Sequence, residues 1–341
     1  MSKKTTLKDI AEAVGLSIAS VSLVLNGRPC RLSKENKRKI KQVAHRLNYV
    51  PNQTARNLVT QRSDTLGLII PDIENPFFAS LAKSFEKYCR LHDYGLLLSS
   101  TQGSDTSDID LSKMFVQHGV AGLAVVVSDD LFISDTQAAQ IQGLPVPLVL
   151  LDRAPSQISC DKVFTDNEEG GYLAAKHLID LGHRHIAGVF NTKTSLNGKR
   201  RLEGFRKAFD ACGMSFDPSL IFECSYDIQE AYEIGHEIVS TDATAVFLTS
   251  DPMALGVLKS FAHEHISVPG DISCIGYDNA LANLLFTPKL TVIDQKTDIM
   301  ALRAFEVLDS RIRRKSGPYT VEKLQPQLIA GQSCRSLLEQ I

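Results

Sequence analysis

The sequence predicts an N-terminal all-α helix-turn-helix domain followed by an α/β body of two Rossmann-like subdomains. Three observations predict this fold. Roughly the first sixty residues hold short amphipathic helices, the remainder alternates apolar strands with helices, and the formal charge changes sign between the two parts. With 341 residues, the chain has room for two or three domains.

The first two predicted helices form a helix-turn-helix between Thr6 and Gly27. Thr6 and Ser17 each precede an apolar-periodic run, as N-cap residues do, and Gly15 supplies the left-handed turn between the helices. Such a pair can place its second helix in a DNA major groove, although a helical hairpin of another role shows the same pattern. The first helix buries Leu7, Ile10, Ala11 and Val14, and the second buries Val21, Val24 and Leu25.

A third helix is predicted after Ser33, its N-cap. Pro51 ends this helical region, because the residue before a proline avoids the helical conformation. The polar segment from Asn52 to Ser63 has no core of its own, so it is either a plain linker or a helix that folds on contact with DNA. The third helix buries Ile40, Val43, Ala44 and Leu47, and its outer face carries Lys34, Lys37, Arg38 and Lys41.

Charge is divided unevenly along the chain. Residues 1–62 contain thirteen Lys and Arg against three Asp and Glu, a formal charge of +10, whereas the rest carries −12 and the whole chain −2. A basic segment on an acidic body is typical of a protein that binds the phosphate backbone of nucleic acid. The charge pattern therefore favours DNA as the partner of the N-terminal helices.

Composition excludes several other classes of protein. No run approaches the roughly 20 apolar residues of a membrane span, and the N-terminal segment lacks the apolar core of a secretory signal, so we expect a cytoplasmic protein. The seven cysteines form no Cys-x-x-Cys pair, which favours reduced thiols over disulfides or a zinc site. Cys30, in a basic loop, is either a redox sensor or a bystander thiol.

Catalytic motifs are absent from the sequence. It contains no phosphate-binding Gly-x-x-x-x-Gly-Lys-Ser/Thr loop, no Gly-x-Ser-x-Gly elbow and no His-Glu-x-x-His. His183 and His185 come nearest to a metal-binding pair, but a spacing of two at the start of a strand is a weak signal. We therefore expect no enzyme activity, no cofactor and no metal ion.

From Asp64 onward, short apolar strands alternate with amphipathic helices, a pattern typical of parallel sheets covered by helices. The two series predict two similar subdomains, with Asp161–Asn167 as one crossover between them. The first series contains the strands TLGLII, GLLLSS, GLAVVV, PLVLLD and KVFTD and helices at 76–92, 107–118 and 135–142. The second contains a helix from Glu168, the strands HIAGVF, LIFEC, TAVFLTS, ISCIGYD and LTVIDQ, and helices at 198–211, 228–240 and 252–265.

The run from TLKDIAEAVGLSIASVSLVLNG through LSKENKRKIKQVAHRLNYVPNQTARNL resembles the DNA-binding domain of the lactose/galactose-repressor (LacI/GalR) family. The resemblance implies that residues Asn52 to Val59 form a hinge helix in the minor groove, where Leu58 wedges between central base pairs and kinks the duplex. It implies base-edge contacts at Ile18, Ala19, Ser22 and Leu23, and further DNA contacts or caps at Thr6, Ser17, Asn26, Ser33, Asn52 and Ala55.

The body, through about Ser333, is similar to the periplasmic-binding-protein fold that the same family uses. We therefore expect a helix-turn-helix domain over 1–51, a hinge or linker over 52–63, and an effector-binding and dimerisation domain over 64–341. Within that domain, the expected N-subdomain covers about 64–162 plus 294–323, and the expected C-subdomain covers about 163–293 plus 324–333.

The chain departs from the family pattern at two positions. Many members carry a long polar or basic side chain where this chain has Leu23, and apolar side chains in the major groove discriminate mainly through the thymine methyl group. We therefore expect thymines near the second helix. Some members that bind purines have arginine at the position of Ser195, so its absence argues against a nucleobase effector and for a sugar or sugar derivative.

Ligands of open α/β sheets bind beyond the carboxyl ends of the strands. Aromatic, acidic, amide and guanidinium groups follow those ends here, and they suit a hydroxyl-rich small molecule. Arg201 and Asp278 could instead form a cap or an ion pair between subdomains, and Phe78 could be core. The resemblance implies effector contacts at Phe77, Arg153, Asn197, Arg201, Tyr226, Asp251 and Asp278.

Together these features predict a repressor that binds a pseudo-palindromic DNA operator as a homodimer and responds to a sugar-like effector. The segment after Cys334 is too short for the heptad repeats of a coiled-coil tetramer, so we expect a dimer. An activator or dual regulator on the same scaffold is an alternative. A sugar-binding protein without a transcriptional role is a weaker one, because the N-terminal segment is basic.

Overall fold

The structure, a computed structural model, describes residues 5–27, 29–49, 63–101, 105–128, 133–280, 287–314 and 317–338. The chain forms two compact units, Met1–Arg62 and Ser63–Ile341. The described residues of the first unit are helical or irregular, and those of the second alternate strands with helices. This arrangement confirms the predicted fold class.

The N-terminal unit contains helices α1 (Leu7–Val14), α2 (Ile18–Leu25) and α3 (Lys34–Arg46). Thr6, Ser17 and Ser33 are their N-caps, as predicted, and each hydroxyl accepts a hydrogen bond from a backbone amide three residues later. Gly15 adopts a φ of 71°, the left-handed conformation that glycine favours. A buried cluster holds the three helices together: Ile10, Ala11, Val14, Val21, Val24, Ile40, Val43 and Ala44.

The first sheet of the body is entirely parallel. Its strands are β1 (Thr65–Ile70), β2 (Gly95–Ser100), β3 (Gly122–Val125), β4 (Leu148–Leu151), β5 (Asp161–Thr165) and β11 (Val321–Leu324), and their order is β11-β5-β4-β3-β1-β2. Helices α4 (Pro76–Leu91) and α11 (Thr297–Arg314) share one hydrophobic cluster with this sheet. Helices α5 (Asp105–Gln117) and α6 (Asp135–Gln142) share another.

The second sheet is parallel except for its last strand. It contains β6 (Ile186–Phe190), β7 (Ile221–Glu223), β8 (Ala245–Leu248), β9 (Ser273–Asp278), β10 (Thr291–Asp294) and the antiparallel β12 (Gln327–Ile329), in the order β12-β10-β9-β8-β6-β7. Helices α7 (Asn167–Asp180) and α8 (Leu196–Ala211) pack in one cluster. Helices α9 (Ile228–Val239) and α10 (Asp251–His263) pack in the other.

Within the described part of the body, the chain passes between the two sheets three times: from β5 to α7, from β10 to α11, and from β11 to β12. The first and third crossovers are bonded to each other. The backbone amide of Asp166 donates to the carbonyl oxygen of Leu324 at 2.8 Å, and its carboxylate accepts from Lys323 Nζ at 2.5 Å.

The structure differs from the sequence prediction in three details. The expected boundary between residues 162 and 163 falls inside β5, whose pairing places Val163–Thr165 in the first sheet. Leu220 belongs to a short 3₁₀ turn that Pro218 begins, so β7 is shorter than predicted. Helix α11 and the strands β11 and β12 were not specified as elements by the sequence pattern.

Candidate functional site

The predicted DNA-contacting residues of α2 lie on the side of that helix away from the core. Ile18 is 48% exposed, Ala19 and Asn26 are exposed, and Ser22 and Leu23 are half-buried. We call Ile18, Ala19, Ser22 and Leu23 the outer face of α2. The Asn26 side-chain amide donates to the Ser22 carbonyl at 2.8 Å and to the Ser22 hydroxyl at 3.1 Å, so it caps the end of the helix.

Groups suited to phosphate are exposed elsewhere in the N-terminal unit. Thr6, Ser17 and Ser33 are exposed at helix N-termini, where backbone amides and the helix dipole favour anions. Lys34, Arg38, Lys39 and Lys41 of α3 are exposed as well. The remaining predicted DNA contacts, Asn52, Ala55 and Leu58, lie outside the described residues.

The body contains a cleft of about 340 Å³ at the carboxyl ends of strands from both sheets. Of the seven predicted effector contacts, Phe77, Arg153, Asn197, Arg201, Tyr226 and Asp278 line the cleft. The other lining residues are Asn75, Phe78, Asp152, Ser195, Ser250 and Gln295.

The first sheet contributes an aromatic wall and a guanidinium. Asn75 caps α4 by accepting from the Phe77 amide at 3.0 Å, which places Phe77 and Phe78 at the start of the helix with their rings edge to face at 5.2 Å. Arg153 donates to the carbonyl oxygens of Val127, at 2.8 Å, and Ser128. Its guanidinium carbon lies 5.8 Å from the centre of the Phe78 ring, so these groups hold one another in place.

The second sheet contributes Arg201, which is buried and fixed on three sides. Its Nε donates to Asn167 Oδ1 at 2.8 Å, its Nη1 donates to the Thr249 carbonyl at 2.6 Å, and its guanidinium carbon lies 3.7 Å from the centre of the Tyr277 ring. Burial by itself lowers the pKa of Arg201, but the surrounding tyrosines and carboxylates outweigh it and raise that pKa above its ordinary value. Arg201 therefore stays charged.

Asp278 and Gln295 form a buried pair at the same edge. Gln295 Nε2 donates to Asp278 Oδ1 at 2.5 Å, and the Asp251 backbone amide donates to Asp278 Oδ2 at 3.2 Å. Burial raises the pKa of the Asp278 carboxyl, while the charge of Arg201 acts in the opposite direction. Gln295 Oε1 is buried and accepts no hydrogen bond within the described residues. The pair thus presents an open acceptor.

Two further contacts shape the cleft, one within the wall from the second sheet and one between the two walls. The Tyr226 hydroxyl donates to Ser195 Oγ at 3.2 Å, and burial raises the pKa of that tyrosine. Asn197 Nδ2, on α8, donates to the Asp152 carbonyl at 3.4 Å. Since Asp152 follows β4 of the first sheet and α8 packs on the second, this hydrogen bond spans the cleft directly.

Asp251 is the predicted effector contact that does not line the cleft. It is fully buried at the first position of α10, and its carboxylate accepts from the Ala280 amide at 3.0 Å. Its backbone amide supports Asp278 instead. Gln295 is the residue that sequence reasoning missed, although its place directly after the strand LTVID was an available signal.

The two histidines whose spacing comes nearest to a metal-binding pair, His183 and His185, have separate partners. His183 is buried between the Thr244 hydroxyl, at 2.9 Å, and the Arg335 carbonyl, at 3.1 Å, whereas His185 lies 2.6 Å from an Asp242 oxygen. Over the described ranges, no group of three or more His, Cys, Asp or Glu is placed to hold a metal ion. None of the helices in these ranges is both long and apolar enough to cross a membrane.

Comparison with known proteins identifies the family. A family model described as bacterial regulatory proteins of the lacI family matches residues 6–52, and a periplasmic binding protein-like domain matches 175–334. The HTH-type transcriptional repressor PurR of Pasteurella multocida (strain Pm70) is 32% identical over 335 residues, which are 98% of this chain and 99% of that protein. The chain belongs to the lacI family. It is a DNA-binding transcriptional regulator and not an enzyme.

Two solved structures of transcriptional regulators show the same fold, and each holds a sugar. The transcriptional regulator CelR in complex with cellobiose is 26% identical, with a TM-score of 0.71, and the match covers 97% of this chain and 100% of that one. A LacI family transcriptional regulator from Enterococcus faecium with bound ribose is 28% identical, with a TM-score of 0.72, over 80% of this chain and 99% of that one.

Proposed function

We propose that this lacI-family protein is a repressor that binds a pseudo-palindromic operator as a homodimer in the cytoplasm. We further propose that a sugar or sugar derivative, bound in the cleft of the body, controls its affinity for DNA. The observation that carries the proposal is the cleft itself, because residues of both sheets line it. A ligand that contacts both sheets binds best when they approach one another, so it selects one arrangement of the body.

The chemistry of the cleft supports a sugar. Phe77, Phe78 and Tyr226 offer ring faces and edges to the C–H groups of a sugar ring, and no tryptophan is present in the chain. Two guanidinium groups, of Arg153 and Arg201, stand among two carboxylates, of Asp152 and Asp278. This balance favours a neutral ligand with many hydroxyl groups over a strongly charged one. Cellobiose and ribose, named in the two related structures, belong to that class.

The proposed allosteric link runs through the hinge. By resemblance, residues Asn52 to Val59 form a helix when two heads of a dimer sit on one operator, and rearrangement of the body would order or melt that helix. The N-terminal units of the two subunits would bind two half-sites about one helical turn of DNA apart. Because the subunits of a dimer are related by two-fold symmetry, the operator must be an inverted repeat. Sedimentation of the full chain should therefore give a dimer, and a stable tetramer would contradict this part of the proposal.

The test begins with selection of bound duplexes from a random library by the full-length protein. We expect an inverted repeat with a flexible pyrimidine–purine step at its centre. Binding to that operator is then measured by fluorescence anisotropy with neutral mono- and disaccharides, starting with cellobiose and ribose, then sugar phosphates and nucleobases. A change in operator affinity with a sugar supports the proposal. A response to nucleobases alone would reject the sugar effector.

Asp278→Asn ties the response to the cleft. The amide keeps the shape of the side chain but loses its charge, so we expect the response to the active sugar to fall at least tenfold while binding to the operator persists. Asp110→Asn, at an exposed position of α5, is the matched control and should respond fully. An unaltered response in Asp278→Asn would place the effector elsewhere.

A further inference from the structure

A buried carboxylate lies behind one wall of the cleft, outside the residues that line it. Asp108, in the first turn of α5, is only 5% exposed. Its Oδ2 accepts from the Ser128 backbone amide and its Oδ1 accepts from the Ser128 hydroxyl, each at 2.8 Å. Burial of a carboxylate is unfavourable unless hydrogen bonds compensate for the lost water. Because both of these bonds go to one residue, Asp108 is placed to fix the backbone at Ser128.

The backbone at Ser128 in turn holds Arg153, which lines the cleft. Arg153 Nη1 donates to the Val127 carbonyl at 2.8 Å and also to the Ser128 carbonyl. The Val127 carbonyl and the Ser128 amide belong to one peptide group, which is trans. Since the C=O and N–H bonds of a trans peptide point in opposite directions, this group has Arg153 on one side and Asp108 on the other.

One peptide group thus links a buried carboxylate to a guanidinium of the cleft. Hydrogen bonds in series polarise one another, so a peptide whose N–H donates to a carboxylate has a carbonyl that accepts more strongly. That carbonyl binds the Arg153 guanidinium from one direction, and the centre of the Phe78 ring lies 5.8 Å from the guanidinium carbon. The orientation of Arg153 toward a ligand therefore depends on Asp108, although Asp108 does not line the cleft itself.

We propose that Asp108 is a positioning residue of the effector cleft, which holds Arg153 through the peptide group between Val127 and Ser128. The proposal rests on the proposed binding of a sugar in that cleft. A guanidinium held by carbonyl groups presents its remaining N–H groups in a fixed direction, and fixed donors lose little conformational entropy when a ligand hydroxyl accepts from them. Without the carboxylate, the peptide group and Arg153 gain freedom, and part of the affinity for the sugar is lost.

Isothermal titration of the full-length protein with the active sugar tests this link. Asp108→Leu removes the carboxylate, and we expect the affinity to fall about tenfold, a factor typical of one lost hydrogen bond to a charged group. Asp108→Asn, whose side-chain oxygen can still accept from the Ser128 amide, should recover most of that loss. Asp110→Leu, the same change at an exposed position of α5, should bind as the unaltered protein does.

A double-mutant cycle distinguishes positioning from a general structural role. In a protein that already carries Arg153→Met, Asp108→Leu should change the affinity by less than about twofold, because the group that Asp108 positions is absent. A purely structural effect of Asp108 would lower the affinity by the same factor in both backgrounds, and that result would overturn the inference. If Asp108→Leu does not fold, Asp108→Ser, which is smaller and polar, replaces it in every measurement.

A measurement without ligand separates this inference from the proposed function. In protein labelled isotopically at arginine, nuclear magnetic resonance reports how fast the Nη1 group of Arg153 rotates, and its signals are identified by their absence in Arg153→Lys. Rotation breaks the bonds to both carbonyls, so we expect it to be about tenfold faster in Asp108→Leu than in the unaltered protein. Equal rates would overturn the inference. Faster rotation in a protein that binds no sugar would support the inference and reject the sugar effector.

Discussion

At the scale of single residues, the side chains of the cleft are held in place by contacts with one another and with the backbone. Arg201 is fixed by Asn167, by the Thr249 carbonyl and by the Tyr277 ring, and Asp278 is fixed by Gln295 and by the Asp251 amide. Side chains held in this way lose little conformational entropy on binding, which favours affinity. The same contacts make Arg201 a structural residue as well as a cleft residue, so its removal would disturb the fold around it.

Gln295→Leu tests the buried pair. The leucine leaves Asp278 Oδ1 without its side-chain donor and removes the open Oε1 acceptor, so we expect affinity for the active sugar to fall at least tenfold. Isothermal titration with that sugar gives the affinity. Gln140→Leu, at an exposed position of α6, should bind as the unaltered protein does. Equal affinities of the two variants for the sugar would show that Gln295 does not contribute to the binding site.

We expect His183 to make the stability of the body depend on pH. Burial lowers its pKa below the 6.5 of the unfolded chain, and the pKa of His177 is lowered for the same reason. Between the folded and unfolded pKa values, the unfolded chain binds more protons. The contribution of these histidines to the free energy of unfolding is therefore complete above about pH 6.5, and it is lost as the pH falls through the pKa values of the folded protein.

Urea unfolding of the unaltered protein at about pH 7.5 and about pH 5.5 measures this loss. His183→Asn should lower the stability at the higher pH and shrink the difference between the two, because one titrating group is gone. The exposed His118→Asn is the matched control and should keep the full difference. A difference that His183→Asn leaves unchanged would assign the pH dependence to other groups.

At the scale of elements, two glycines let α7 and α8 pack backbone against backbone. A Cβ atom added to Gly171 would lie 1.9 Å from the Arg201 carbonyl oxygen, and one added to Gly204 would lie 1.8 Å from that of Glu168. Both atoms are backbone atoms, so neither clash is relieved by rotating a side chain. The close approach of the two helices therefore sets where Arg201 stands.

Gly171→Ala is expected to destabilise the body by about 1–3 kcal/mol, the usual cost of overpacking, and to weaken sugar binding because α8 must shift. Thermal unfolding and titration with the active sugar measure the two effects. Gly95→Ala is the control, since an added Cβ there has no atom closer than 3.7 Å. A Gly171→Ala protein as stable as that control would show that the helices separate at little cost.

Sequence periodicity predicted most helices of the body to within a few residues, because each buries one stripe of apolar side chains. It did not specify α11, because this helix follows a strand of the second sheet but returns to pack on the first. The helix does have an apolar stripe, formed by Met300, Ala301, Ala304, Phe305 and Leu308. Position after a strand likewise could not separate Asp251 from Asp278. Which of two neighbouring carboxylates faces the cleft depends on tertiary packing that no local pattern contains.

At the scale of the whole molecule, the charge separation noted in the sequence predicts how operator binding depends on salt. The basic N-terminal segment replaces counterions along the DNA backbone, so the logarithm of the affinity should fall linearly with the logarithm of the salt concentration. Lys34→Gln or Lys41→Gln should reduce that slope by about one and should weaken binding to all DNA sequences alike. Lys113→Gln, at an exposed body position, should leave the slope unchanged, and a slope near zero would contradict a phosphate-binding head.

The three crossovers of the body restrict how its halves move. Two of them are tied together by Asp166, and the third contains Gln295 of the cleft. Because sliding would break the contacts between the two bonded crossovers, we expect the halves of the body to open and close by rotation along a single coordinate. Effectors of different size should then differ in the fraction of closed molecules and not in the closed geometry. With a partial agonist bound, the protein would then be a mixture of open and closed molecules. A single distance between the two halves of the body, measured on single molecules, would give the fraction of each.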